Sequence, residues 1–185
     1  MAIDIPTANE LYCLLGSAPS SIDFKALLST TDDVKPTISK LADYVYYAFK
    51  PLGISFCFTY KERTEAEALK PGATPSNSTS SNNAMDNLIL DAIDIYNGET
   101  PDGFLPFQQN ILLPCGITSS MHAYEIVQAL GEPDRKGGGG RTRMPCWIEY
   151  KFNNTNKKKD SGLMIQLHGV EWEDREMGWS SIVLY

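Results

Sequence analysis

The sequence predicts an α+β fold: two tandem helix-plus-three-strand repeats forming one mainly antiparallel sheet, with the helices on one face. Three observations carry this. Residues 119–133 read as an amphipathic helix and are followed by three short strand-like runs. The first half of the chain shows the same kinds of segment in the same order. The runs themselves alternate apolar and polar residues, which is the period of a strand with one buried face.

The N-terminal part predicts two short helices. Thr7 and Glu10 fit a capping box, and Leu11, Leu14 and Leu15 then form an apolar face that ends at Gly16, with Cys13 on the opposite side. Ser20 to Asp23 gives a second start signal before Phe24, Leu27 and Leu28. From residue 43 to 50 the chain alternates: Val45, Tyr47 and Phe49 face one way, Tyr44, Tyr46 and Ala48 the other. Pro51, Leu52 and Gly53 make a turn into a second run, with Ile54, Phe56, Phe58 and Tyr60 on one face and Cys57 on the other. Residues 63–87 are polar and low in complexity, and predict a long loop inside the first half. Residues 88–96 resume as a strand, and 97–116 join the halves.

In the second half, Ser119 or Ser120 caps a helix whose stripe is Ala123, Ile126, Val127 and Leu130; Gly131 and Pro133 stop it. Strands are expected at 147–152, 162–168 and 180–185, with Lys157 to Lys159 as a solvated hairpin tip. The halves then match in order. Leu14, Leu15, Gly16 and Pro19 correspond to Ala129, Leu130, Gly131 and Pro133; residues 44–50 to 147–152; 53–58 to 162–167; and 92–96 to 181–185. Half-repeats of about 7–96 and 117–185 make one domain spanning 1–185.

Composition narrows the function. The chain has 185 residues, 42% apolar, enough for one core, and no run of about 18 apolar residues that would span a membrane. The N-terminus lacks the basic-then-apolar pattern of a secretory signal. A net charge of −7 argues against nucleic acid as a partner. Cys13, Cys57, Cys115 and Cys146 are far apart, and His122 and His168 are the only histidines, so neither a metal nor a cofactor is expected.

No catalytic centre emerges, and the chain is not expected to be an enzyme. Gly137 to Gly140 between Lys136 and Arg141 lacks the ending of a phosphate-binding loop and reads as a mobile connection. Residues 116–120 do not form a nucleophile elbow. His122 reads as a surface residue of the first helical turn. The acidic run 171–176 could pair carboxylates for acid–base work, but it reads as a solvated turn. Asn77 and Asn153 begin glycosylation triplets.

Self-association is the better-supported reading. Cys13 and Cys115 are placed outward and are the first candidates for intermolecular disulfides, with Cys57, away from Phe56 and Phe58, as a third; Cys146 points inward with Ile148 and Tyr150. Tyr44, Tyr46, Trp147 and Met164 project from the sheet face away from the core, and form a candidate assembly face unless a loop covers them. With a sequence pI of about 4.8, association is expected to be easier near pH 5 than at pH 7.5.

Residues 120–133, with the strands that begin at Trp147 and Leu163, resemble the helix-plus-sheet module of β-lactamase inhibitor proteins, which carry it in tandem, and of small bacterial outer-membrane assembly lipoproteins. Over nearly its whole length, on residues 43–58, 90–96 and the helix ending Leu130, Gly131, Glu132 and Pro133, the chain resembles the OCTIN family of fungal crystal matrix proteins and their bacterial relatives. That resemblance implies a structural protein that forms dense crystals in the vacuole lumen and serves gravity sensing. It also implies intermolecular disulfides during assembly. The implied partner is the chain itself. The cytoplasm is the alternative compartment. The rival reading is a non-catalytic binding module, an enzyme-inhibitor or immunity-type protein, that uses the same sheet face for a foreign partner.

Overall fold

The computed structural model describes residues 10–29, 34–61, 87–107, 113–152 and 161–185. Its centre is one antiparallel sheet of eight strands. They are β1 (Thr37–Leu41), β2 (Tyr44–Phe49), β3 (Ile54–Tyr60), β4 (Leu88–Tyr96), β5 (Arg135–Gly137), β6 (Trp147–Lys151), β7 (Gly162–Leu167) and β8 (Trp179–Leu184). The order across the sheet is β1-β2-β3-β4-β8-β7-β6-β5. Each half of the chain thus lays down its four strands consecutively, and the last strands of the halves, β4 and β8, pair at the centre. Among the described residues, three α-helices accompany the sheet: α1 (Glu10–Cys13), α2 (Ile22–Ser29) and α3 (Ala123–Leu130).

The period-2 pattern does what it dictates. Val45, Tyr47 and Phe49 of β2 are buried, and the ladder sets them opposite Phe58, Phe56 and Ile54. The same face continues through Ile93 and Ile95, opposite Leu184 and Ile182, and through Ile165 and Leu163, opposite Ile148 and Tyr150. All of these are buried in one apolar cluster. Each such side chain contributes about 1.5–3 kcal/mol by leaving water. Phe24 of α2 packs edge-on against Phe56 at 4.9 Å and Phe58 at 5.4 Å. Ile126 of α3 is fully buried in the same cluster.

Helix ends follow local hydrogen bonding. The Ser21 hydroxyl accepts the Phe24 N–H at 3.2 Å, which starts α2 where the serine pair suggests. The start of α3 corrects the sequence expectation. Neither Ser119 nor Ser120 caps it. Residue 122 bridges to Gly178, and the Ala123 N–H donates to Met177 O at 2.8 Å, so the chain is still extended there. His122 is therefore the N-cap residue, and its N–H donates to Glu125 Oε2 at 2.7 Å. Gly131, at φ 86°, closes the helix through its N–H to Val127 O.

Two strands were not expected, so among the described residues each half carries four rather than three. β1 is exposed along its whole length and has no apolar alternation of its own; the ladder with β2 makes it a strand. The turn between them holds Ala42 at φ 50°. β5 lies in the segment read as a mobile connection. The glycine that ends it and the one that follows answer to packing: a Cβ on Gly138 would meet Pro145 O at 2.1 Å, and one on Gly137 would meet the Trp147 ring at 2.5 Å. The expectations for Thr7, for the 63–87 loop apart from Asn87, for Lys157 to Lys159 and for both glycosylation triplets fall outside the described residues.

Candidate functional site

The second face of the sheet is built from the alternate residues of the same strands. On β2, Tyr44 and Tyr46 stand there, opposite Thr59 and Cys57 of β3. The two tyrosine rings lie 6.4 Å apart, and Tyr44 is 42% exposed. On the same face, in the other half of the sheet, Met164 of β7 stands opposite Glu149, and Trp147 of β6 opposite Gln166. All four assembly-face candidates thus lie on the face turned away from the core. They form two patches rather than one. β3, β4 and β8 separate β2 from β7, a distance of about 19 Å at the usual strand spacing.

The patches differ in character. Tyr44 and Tyr46 adjoin Leu41 of β1, which is 68% exposed. Burial pushes the Tyr46 hydroxyl up to about 12, helped by its hydrogen bond with the Cys57 side chain. Trp147 is half covered: the Arg135 guanidinium lies 5.7 Å above its ring. Arg135 also pairs with buried Glu149 at 3.1 Å, and the Tyr185 hydroxyl donates to the other oxygen of that carboxylate. The Met164 side is therefore a fixed polar network with an apolar margin.

Between the patches lies a polar saddle. Ser55, Asp94 and Val183 stand in register across β3, β4 and β8. The Asp94 residue is only partly buried, yet burial pushes its carboxyl up to about 6. Tyr96, two residues on, stacks on Phe104 at 4.2 Å; burial raises its hydroxyl to about 12, with the Asp94 charge as the next cause. Phe104 belongs to the segment after β4, which folds back over the β2–β3 turn, where the Leu105 N–H donates to Lys50 O at 2.9 Å.

The cysteine placements divide. Cys13 is exposed and Cys146 fully buried, as expected. Cys57 lies on the Tyr46 side of the sheet, as expected, but is itself buried. Cys115 corrects the expectation of an outward thiol. It is half-buried against the apolar cluster, in a short turn where it takes φ 58°, and burial pushes its thiol up to about 11. No disulfide joins any two of the four.

Elsewhere, a cleft of about 300 Å³ opens between α3 and the acidic loop, floored by Ile148, Leu167 and Met177 and walled by Trp172. The Lys136 ammonium lies 5.7 Å above the Trp172 ring. The residues 171–176 are exposed turns. Among the described residues, no three His, Cys, Asp or Glu side chains converge on a metal position, and no helix is long and apolar enough to cross a membrane. Comparison with family models, with curated proteins and with solved structures finds no match for this chain.

Proposed function

We propose that this is a structural, non-catalytic protein whose activity is ordered association with further copies of itself through the second face of the sheet. One observation carries the reading: an aromatic pair, Tyr44 and Tyr46, stands on that face beside the exposed Leu41, so that three large side chains adjoin on one face. Contiguous exposed apolar surface of this kind marks contact sites.

The reading includes a doubled architecture with the helices gathered on the core face. Ladder register supports the doubling. Ile54 pairs with Ile95 and Phe56 with Ile93, while their counterparts Leu163 and Ile165 pair with Leu184 and Ile182. At the centre Ile93 meets Leu184 and Ile95 meets Ile182, so a local two-fold would pass through the Asp94–Val183 pair. By the same register Tyr46 is the counterpart of Trp147. A doubled unit presents two related patches, and two patches are what a growing array needs. The resemblance to crystal matrix proteins extends this reading to dense crystals in an acidic vacuole lumen, with Cys13 as the thiol best exposed for intermolecular bonding.

Sedimentation velocity over a wide concentration range tests the proposal. Mass should rise with concentration, and the Tyr44→Ser, Tyr46→Ser double variant should stop that growth at a species no larger than a dimer. A wild-type protein that stays monomeric throughout, at pH 5 as well as at pH 7.5, overturns it.

A further inference from the structure

The two edges of the sheet are unlike. β5 has three residues, two of them cationic, which is how natural sheets blunt an edge. β1 has five, all exposed, with Ile38 at 50% and Leu41 at 68%. Its inner side is hydrogen-bonded to β2, and among the described residues no strand pairs with its outer side. An edge this long and this apolar invites a further strand.

We propose that the outer edge of β1 docks on β1 of a second copy, antiparallel, with Ser39 opposite Ser39 of that copy, so that two eight-stranded sheets become one. This inference rests on the self-association reading above and names the contact that begins it. The register follows from the sequence. A two-fold between identical antiparallel strands must set a residue against itself, because residues directly opposite each other point to the same face. Only centring on Ser39 overlaps all five residues of Thr37–Leu41.

That register also matches charge. Beyond the five paired residues, each Lys35 comes to the end of the contact where the other copy's Ala42–Asp43 turn lies, and Lys35 and Asp43 are both exposed. On the core side, each Ile38 meets the aliphatic stem of a Lys40, whose ammonium group can still reach solvent. On the open side, each Leu41 meets a Thr37. Leu41 also neighbours Tyr44 within its own sheet. Joining the edges therefore brings the two Tyr44–Tyr46 patches onto one continuous face, with β2 and its counterpart about 14 Å apart. The edge contact enlarges the apolar surface available for further association.

Crosslinking reads the register directly. In a Cys13→Ser background, Ser39→Cys should give a disulfide-linked dimer under mild oxidation, since opposed residues in antiparallel pairs have Cα atoms about 4.5–5.5 Å apart. Ile38→Cys, whose partner is Lys40, should give much less. Separately, Lys35→Asp should weaken dimer formation roughly tenfold by setting like charges in opposition, and the Lys35→Asp, Asp43→Lys double variant should restore it. If the protein associates but Ser39→Cys and Ile38→Cys crosslink equally, or the charge reversal fails to rescue, the β1 contact is wrong while the self-association reading stands. If the wild type never leaves the monomer, both fall together.

Discussion

At the scale of single residues, Asp94 is a poorly solvated carboxyl on the open face. Its folded value of about 6 lies above the usual 3.8 of a free aspartate. The sign follows. Below about pH 4 the group is protonated in folded and unfolded chains alike, and costs nothing. As pH rises from about 4 through 6, the unfolded chain ionises freely while the folded one must hold a poorly hydrated charge, so stability falls. Asp94→Asn should therefore raise stability at pH 7.5 by about 1–2 kcal/mol, discounted for partial solvent screening, and change it little at pH 4. Urea midpoints at the two pH values measure this, and equal shifts at both would mean that ionisation is not the cause. Ala42 offers a second test. At φ 50° it occupies a conformation that costs an L-residue about 1–2 kcal/mol, so Ala42→Gly should stabilise the β1–β2 turn by about 0.5–1 kcal/mol in thermal unfolding. A loss of stability would show that the alanine methyl packs usefully. The thiols separate by the same logic. At pH 7.5 the exposed Cys13 should alkylate readily and Cys115 slowly, because burial holds the latter protonated. Mass spectrometry after brief iodoacetamide treatment reads the order.

At the scale of elements, the strands that alternate were legible and the strands that do not were missed. Val45, Tyr47 and Phe49 announce β2 because a buried face forces period 2 on the sequence. β1 buries no residue on either face, so hydrophobic patterning has nothing to record, and its strand character lives in the ladder with β2. β5 is three residues beside a glycine run, and glycine there reflects the closeness of Pro145 and Trp147, neighbours that composition does not reveal. The start of α3 was misplaced for a related reason: a strand-like bridge to Gly178 overrides the two serines that would otherwise cap. Of the candidate site, the face of Tyr44, Tyr46, Trp147 and Met164 was readable from alternation. Their division into two patches was not, because strand order is a tertiary fact. Gly138→Ala tests the element-scale account of the glycine run. With its Cβ directed at Pro145 O and φ at 75°, the variant should lose about 2–4 kcal/mol of stability. A loss under 1 kcal/mol would mean that the β5–β6 connection yields easily.

At the scale of the whole molecule, one face of an eight-stranded sheet is filled with apolar side chains, and the other carries two patches across a polar saddle. Net charge governs how such molecules meet. At −7 they repel near neutrality, and protonation of carboxylates, Asp94 among the first, lowers that repulsion as pH falls. Added salt at pH 7.5 should partly substitute for acid, since screening at about 0.15 M shortens the field to about 8 Å. The most direct test is sedimentation velocity of the wild type and of Tyr44→Ser, Tyr46→Ser, each at pH 5 and pH 7.5. The account predicts concentration-dependent growth of the wild type, stronger at pH 5, and a variant that remains folded and grows no further than an edge-joined dimer at both. A wild type that is monomeric at every concentration and both pH values, or a folded double variant that grows as the wild type does, would contradict it.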